Sequence, residues 1–312
     1  MNIQPIILAL SLALAGCGDG NPFEEPAPVD PAEPGTGSSR IEIPESLASD
    51  LEGFNYKAGR ERLVIRGVSS EDSPYSGSYR RRENMDRVGY SAYTQQDGSL
   101  DRHSTAYVRK LRNAEAVVVT TGGQFEEFFG GTGYKSANYT PPVAQGGNRR
   151  GGLISYAGRY VGLLNAEGSR EDLKPVRQGT PGSFRPSQAT EITGRVLLTG
   201  SFSDRAVDGV VTNRRLNDFE DDRGRKVRIR DLALGLSPIE DNGSFTGSVT
   251  QNRQSKGTYG GVFAGKGASE VAGSVHVTNH IDGASDPEEF GIFVLGACGK
   301  KGQDRACRQP DR

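Results

Sequence analysis

The stretch Gly257–Val277, "GTYGGVFAGKGASEVAGSVHV", decides the fold. Tyr259, Phe263, Val271, Val275 and Val277 recur at strand spacing, although the run is crowded with glycine. Gly265-Lys266-Gly267 divides it into two arms, as a hairpin turn does. Gly261 and Gly273 fall on the same faces as Phe263 and Val275, so small and large residues alternate on one side, with Ser274 on the opposite, outward side. A small closed barrel needs this pattern. Its strands coil sharply, and interior glycines permit bends and leave room where opposite walls crowd large side chains.

Working outward, eight strands are expected: Leu153–Leu163, Glu191–Thr199, Ala206–Thr212, Val227–Leu236, Gly243–Thr250, Thr258–Ala264, Ser269–Thr278 and Glu289–Leu295. In "GSFTGSVT", Phe245, Gly247 and Val249 face one way and the Ser and Thr residues the other, the period-2 mark of a half-buried strand. Asn213–Lys226, with alternating acidic and basic clusters, is expected as a long loop. Consecutive hairpins without long helices predict an antiparallel meander, and eight strands close it. A lipid-embedded barrel is the competing architecture. The strands are short, no aromatic girdle is evident, and a lipid anchor would be redundant on it.

Upstream, residues 41–142 read as a first β-rich domain, with "RLVIRGV", "YSGSYRRR", "VGYSAYT", "STAYVRKL" and "AEAVVVTT" as strands. "GGQFEEFFGGTGY" predicts one short helical turn whose Phe125, Phe128 and Phe129 plug the domain's core. Residues 143–152 form an interdomain loop, 153–297 the barrel and 298–312 a tail. The fold class is therefore all-β with minor helix: a β-rich domain followed by a small eight-stranded antiparallel barrel. Glycine supplies 43 of 312 residues, about twice ordinary usage, with no collagen period. The 38 basic and 39 acidic residues give a net charge of -1 and no global attraction to nucleic acid.

The N-terminus carries the address. An apolar run from Ile6 to Ala15 is too short to span a bilayer and suits a signal peptide, residues 1–16. Leu14-Ala15-Gly16-Cys17 resembles the bacterial lipobox, which implies cleavage before Cys17 and lipidation of it. Several acyl chains on one residue hold a protein stably at a membrane. Gly18 rather than aspartate follows, which favours the outer membrane. Residues 17–40, with five prolines among acidic and small residues, form an extended tether.

"YGGVFAGKGASEVAGSV" resembles the C-terminal barrel hairpin of the transferrin-binding-protein-like (TbpB-like) surface lipoproteins. The matching features are its Gly-x-Phe-x-Gly run, the Ala268-Ser269-Glu270 triplet and Gly273 before a valine strand. "VLLTGSFSDRAVDGVVTNR" is similar to that family's preceding hairpin. The resemblance covers about Gly152 to Leu295 and implies the order lipidated cysteine, tether, smaller β-rich domain, eight-stranded barrel. It assigns no ligand-contacting residue.

Enzyme motifs are lacking: no Gly-x-Ser-x-Gly elbow occurs, and "GGTGYKSA" lacks the last glycine of a dinucleotide fingerprint. His276 and His280 lie about 13 Å apart if on one strand, too far to share a metal, and are expected at a surface or strand end. With His103 they are the only histidines. Arg80–Arg82 and Arg149–Arg150 are expected to be solvated. Cys298 and Cys307 are expected to pair, since the envelope favours disulfides. The function expected is a noncatalytic binding lipoprotein. It is held to the membrane through Cys17, takes a protein or small-molecule ligand, and uses no cofactor, metal or nucleic acid. A structural or docking lipoprotein without a dedicated ligand is the alternative.

Overall fold

A computed structural model of the chain describes residues 41–58, 62–68, 76–87, 89–125, 127–142, 152–299 and 303–308. The signal peptide, Cys17, the tether, Arg149, Arg150 and nearly all of the expected interdomain loop lie outside the described residues.

The described chain is almost wholly β, with a single four-residue helix, α1 (Glu45–Ala48). The first seven strands are β1 (Leu51–Tyr56), β2 (Arg62–Gly67), β3 (Ser76–Arg81), β4 (Ser91–Gln95), β5 (Ser104–Lys110), β6 (Ala114–Thr121) and β7 (Gly130–Ser136). They pair in chain order as one antiparallel meander. The sheet curls until it nearly closes. Asp50 bridges its ends, its amide donating to Gly130 O at 3.0 Å while its carboxylate accepts the Gly130 amide at 2.8 Å. Beside it, Thr132 Oγ1 donates to Leu47 O at 2.7 Å.

The second sheet holds β8 (Leu153–Glu167), β9 (Ala189–Ser201), β10 (Ala206–Glu220), β11 (Lys226–Arg228), β12 (Leu232–Pro238), β13 (Ser244–Gln251), β14 (Gln254–Ala264), β15 (Glu270–Thr278) and β16 (Glu288–Gly296). Apart from β11, a short addition to the far end of β10, these strands form a closed eight-stranded antiparallel barrel, sealed where β9 pairs with both β8 and β10. Phe245, Tyr259, Phe263, Val271, Val275 and Phe293 fill its interior. Gly261 and Gly273 are direct cross-strand partners. A Cβ at either would come closer than 3.0 Å to a backbone carbonyl and to the ring of Phe245 or Phe293, so the close approach requires glycine.

The outer face of the barrel does not meet lipid. Val262, Ala264, Ala272, Ile292 and Val294 pack outward against Ala114, Ala116 and Val118 of β6, while Val117 and Val119 of that strand fill the first sheet's own core. Burial on both faces explains why "AEAVVVTT" is apolar without alternation. Elsewhere the outer face carries Arg159, Arg195 and Arg215, which no hydrocarbon surface would tolerate. Ser274, expected outward in solvent, does point outward, but it is fully buried under the first sheet. Among the described residues no helix is long and apolar enough to cross a membrane.

Three local expectations fail. The segment after Gly122 is no helical turn: Gln124 and Glu127 form an isolated bridge and β7 follows at once. Of its phenylalanines only Phe129 packs on the first sheet's core, whereas Phe125 is 55% exposed. Residues 213–220 continue β10 instead of looping. Asn213 adopts a positive φ of 52°, and the register shifts between Thr212 and Arg215. That bulge flips the alternation, turning Arg214 and Leu216 to the interior where Val207 and Val211 pointed before it. Finally, the strand expected over Val227–Leu236 is divided into β11 and β12.

Candidate functional site

The long connection between β8 and β9, residues 168–188, leaves the barrel and straps across the first sheet. Asp172 is its main latch. Its carboxylate takes Arg82 Nε at 2.8 Å, Thr94 Oγ1 at 2.6 Å and His103 Nε2 at 3.1 Å. Burial pulls its pKa upward, but the three donors outweigh burial and hold it at about 2. Lys174 Nζ adds a bond to Asp97 O at 2.5 Å. At the strap's far end Ser187 donates through N and Oγ to Gly123 O. A side chain at Gly122 would collide with the Ser187 carbonyl, so the strap lies flush only over glycine. Arg82, expected to be solvated, is thus a structural cation, and Arg81 pairs with Asp86 at 2.5 Å.

The strap delivers Phe184 to the rim of the first sheet. There it meets Phe125 edge to face, ring centroids 5.7 Å apart. Gln124, itself buried, ties this corner together by donating from Nε2 to Leu100 O at 2.6 Å and to Phe184 O at 3.0 Å. Leu100, Phe125 and Phe184 are each about half exposed. Three separate segments therefore converge into one apolar patch, with the exposed Arg102–Glu127 pair at its edge. Phe125 holds a positive φ of 57°, rare for an aromatic residue.

On the other side of the strap a groove of about 1180 Å³ runs over β8, β9 and β10 beside the turn Glu83–Met85 of the first sheet. Its lining is polar. Arg87 forms an ion pair with the buried Glu191, whose pKa burial pushes up despite the guanidinium. Arg159, Arg195, Arg215 and Asn217 complete this wall.

Inside the barrel mouth sits a third polar group. Arg214 and Glu289, both wholly buried, form an ion pair; Tyr160 donates to Glu289 at 2.6 Å and His280 Nε2 lies 2.8 Å from it. Burial pulls the Glu289 carboxyl upward, but Arg214, His280 and Tyr160 prevail and keep it well below the usual carboxylate range. His280, expected near a surface, is instead part of this buried plug, and His103 is buried in the strap latch. His276 is half-buried, stacked on Phe290 at 4.4 Å and 2.8 Å from Glu288. Among the described residues no three His, Cys, Asp or Glu side chains converge as metal ligands. Cys298 and Cys307 are disulfide-bonded, and the Cys298 amide donates to Ser155 O at 2.8 Å, tying the tail to β8.

The sequence reading missed the patch and the groove. Both depend on the strap, whose residues carry no periodic signal, and on register within β8–β10.

No family model and no curated protein matches the chain. Among solved structures it is similar to a double mutant of transferrin binding protein B from Haemophilus parasuis Hp5, with TM-score 0.39 and 11% identity over 77% of this chain and 52% of that one. It is also similar to isotype 1 transferrin binding protein B from serogroup B Neisseria meningitidis, with TM-score 0.34 and 13% identity over 78% and 51%. Intact Ap-TbpB, with N and C lobes, gives 0.35 and 10% over 76% and 52%. The chain spans about half the length of these structures. All three are transferrin binding protein B.

Proposed function

We propose that this is a lipid-anchored outer-membrane binding protein that holds a protein partner without catalysis. The observation that carries the proposal is the apolar patch of Leu100, Phe125 and Phe184. Rigid, exposed aromatic side chains with a polar rim are the usual anchors of protein interfaces, and a soluble surface gains nothing from displaying them together. The buried Gln124 and the strap latch fix the patch before any partner arrives, which lowers the ordering cost of association. Cys17 supplies the anchor, and residues 17–40 hold the folded part away from lipid headgroups.

The test is capture by the mature protein from envelope extract and from host plasma, beside a Phe125→Asp/Phe184→Asp variant. One protein should be enriched by the native chain, recovered chemically unchanged, and lost with the variant. Equal capture by both chains would remove the patch from the account. Turnover of the captured molecule would replace binding by catalysis.

A further inference from the structure

A small cavity of about 110 Å³ lies where the first sheet meets the barrel, and its lining holds two carboxylates but no lysine or arginine. Asp50, Thr120 and Phe128 line it from the first sheet, and Asn165, Glu288 and Phe290 from β8 and β16. One Asp50 oxygen accepts the Gly130 amide at 2.8 Å, and one Glu288 oxygen meets His276 Nε2 at 2.8 Å; among the described residues the second oxygen of each has no partner. Asn165 cannot answer them. Its Oδ1 accepts the Glu288 amide at 2.8 Å, and its Nδ2 donates to Asp286 O at 3.0 Å. Thr120 stands on the face of β6 that meets the barrel, as Val118 does, and is only 5% exposed. Its Oγ1 is buried without a hydrogen-bond partner. A Cβ at Gly130 would lie 2.7 Å from Thr120 Cγ2 and 3.1 Å from Phe290 Cδ2, so glycine there lets these two side chains meet as the cavity floor.

Two half-paired carboxylates beside a buried hydroxyl call for a cation that brings its own donors. A bare divalent ion fits poorly, because calcium takes roughly six to eight oxygens and the cavity leaves far fewer open. A primary ammonium carries three N–H donors on one centre, one for each open oxygen. Phe290, one ring face of which is stacked on His276, and Phe128 give the cavity apolar walls. Aromatic walls accept an alkyl chain and favour a positive charge beside it. We infer that this cavity binds a small primary alkylammonium, its N–H groups directed to Asp50, Glu288 and Thr120 and its methylenes lying against Phe128 and Phe290. The cavity shares no residue with the apolar patch, and the inference stands whether or not the patch captures a partner.

Thermal unfolding and amide-shift titration of the mature protein test it. n-Butylammonium chloride at about 10 mM should raise Tm, whereas potassium chloride at equal concentration should not. Tetramethylammonium, which has the charge but no N–H, should also leave Tm unchanged. Glu288→Gln and Asp50→Asn each keep an amide oxygen for the present donor and lose the charge, and each should raise Kd for n-butylammonium about tenfold or more. Should both variants fail to fold, the native chain decides: the Gly130 and Glu288 amide resonances should shift on titration while those of the barrel turn at 202–205 stay in place. An equal rise with tetramethylammonium, a response that the variants retain, or unmoved Gly130 and Glu288 resonances would overturn the inference. So would a rise with calcium chloride and none with the amine, which would make the cavity a metal site.

Discussion

Replacing Gly273 by alanine adds one methyl group at a tight point of the barrel wall. The new Cβ would come closer than 3.0 Å to Gly260 O, across the β14–β15 pairing, and to the ring of Phe293. The ring can tilt, but the carbonyl belongs to the neighbouring strand and moves only if the ladder opens. Overpacking costs about 1–3 kcal/mol, and a backbone clash belongs in the upper half, about 2–3 kcal/mol. At roughly 2–4 °C per kcal/mol for a folded unit of this size, Tm should fall by about 4–12 °C. Gly296→Ala is the matched control, since nothing lies within 4 Å of its added Cβ, and it should change stability by no more than about 0.5 kcal/mol. Denaturant melts of the mature chain, followed by circular dichroism, measure both. A Gly273→Ala protein within about 0.5 kcal/mol of the native one would refute the interior placement of this face.

Three other outcomes are expected. Asp172 has a pKa held at about 2, below its ordinary 3.8, so its contribution is fully present above pH 4 and is lost as pH falls through about 2. Asp172→Asn should therefore lower stability at neutral pH by on the order of 1–2 kcal/mol, after allowance for solvent screening, and the gap should close between about pH 4 and 2 in acid melts. Arg214→Leu leaves Glu289 buried without its cation and should cost about 3–5 kcal/mol in denaturant melts, whereas a smaller loss would mean that water reaches the barrel mouth. Cys17→Ser should abolish palmitate labelling and detergent-phase partitioning; unchanged partitioning would refute the anchor.

The barrel was legible because its chemistry is local. Hairpin glycines, period-2 alternation and the small-large pattern around Gly261 and Gly273 each act over a few residues. Ser274 was misjudged for the opposite reason: alternation says which residues share a face, not whether a second sheet covers it. The extension of β10 was missed because its residues are polar and a bulge at Asn213 reverses the face on which apolar residues are sought. "GGQFEEFFGGTGY" misled through phenylalanines at helical spacing, whereas Gly130, Gly131 and Gly133 form a strand closely covered by α1 and β1. The strap latch, the patch and the groove bring together residues tens of positions apart, Asp172 with His103 and Phe184 with Phe125, which no window of sequence contains.

The central claim is that a partner docks on the apolar patch, and amide hydrogen exchange of the mature protein with and without its captured partner tests this most directly. Protection should rise at residues 98–102, 123–125 and 180–185 and stay unchanged over the barrel turns at 202–205 and 239–243. Protection confined to those turns, with the patch exchanging as in the free protein, would contradict it.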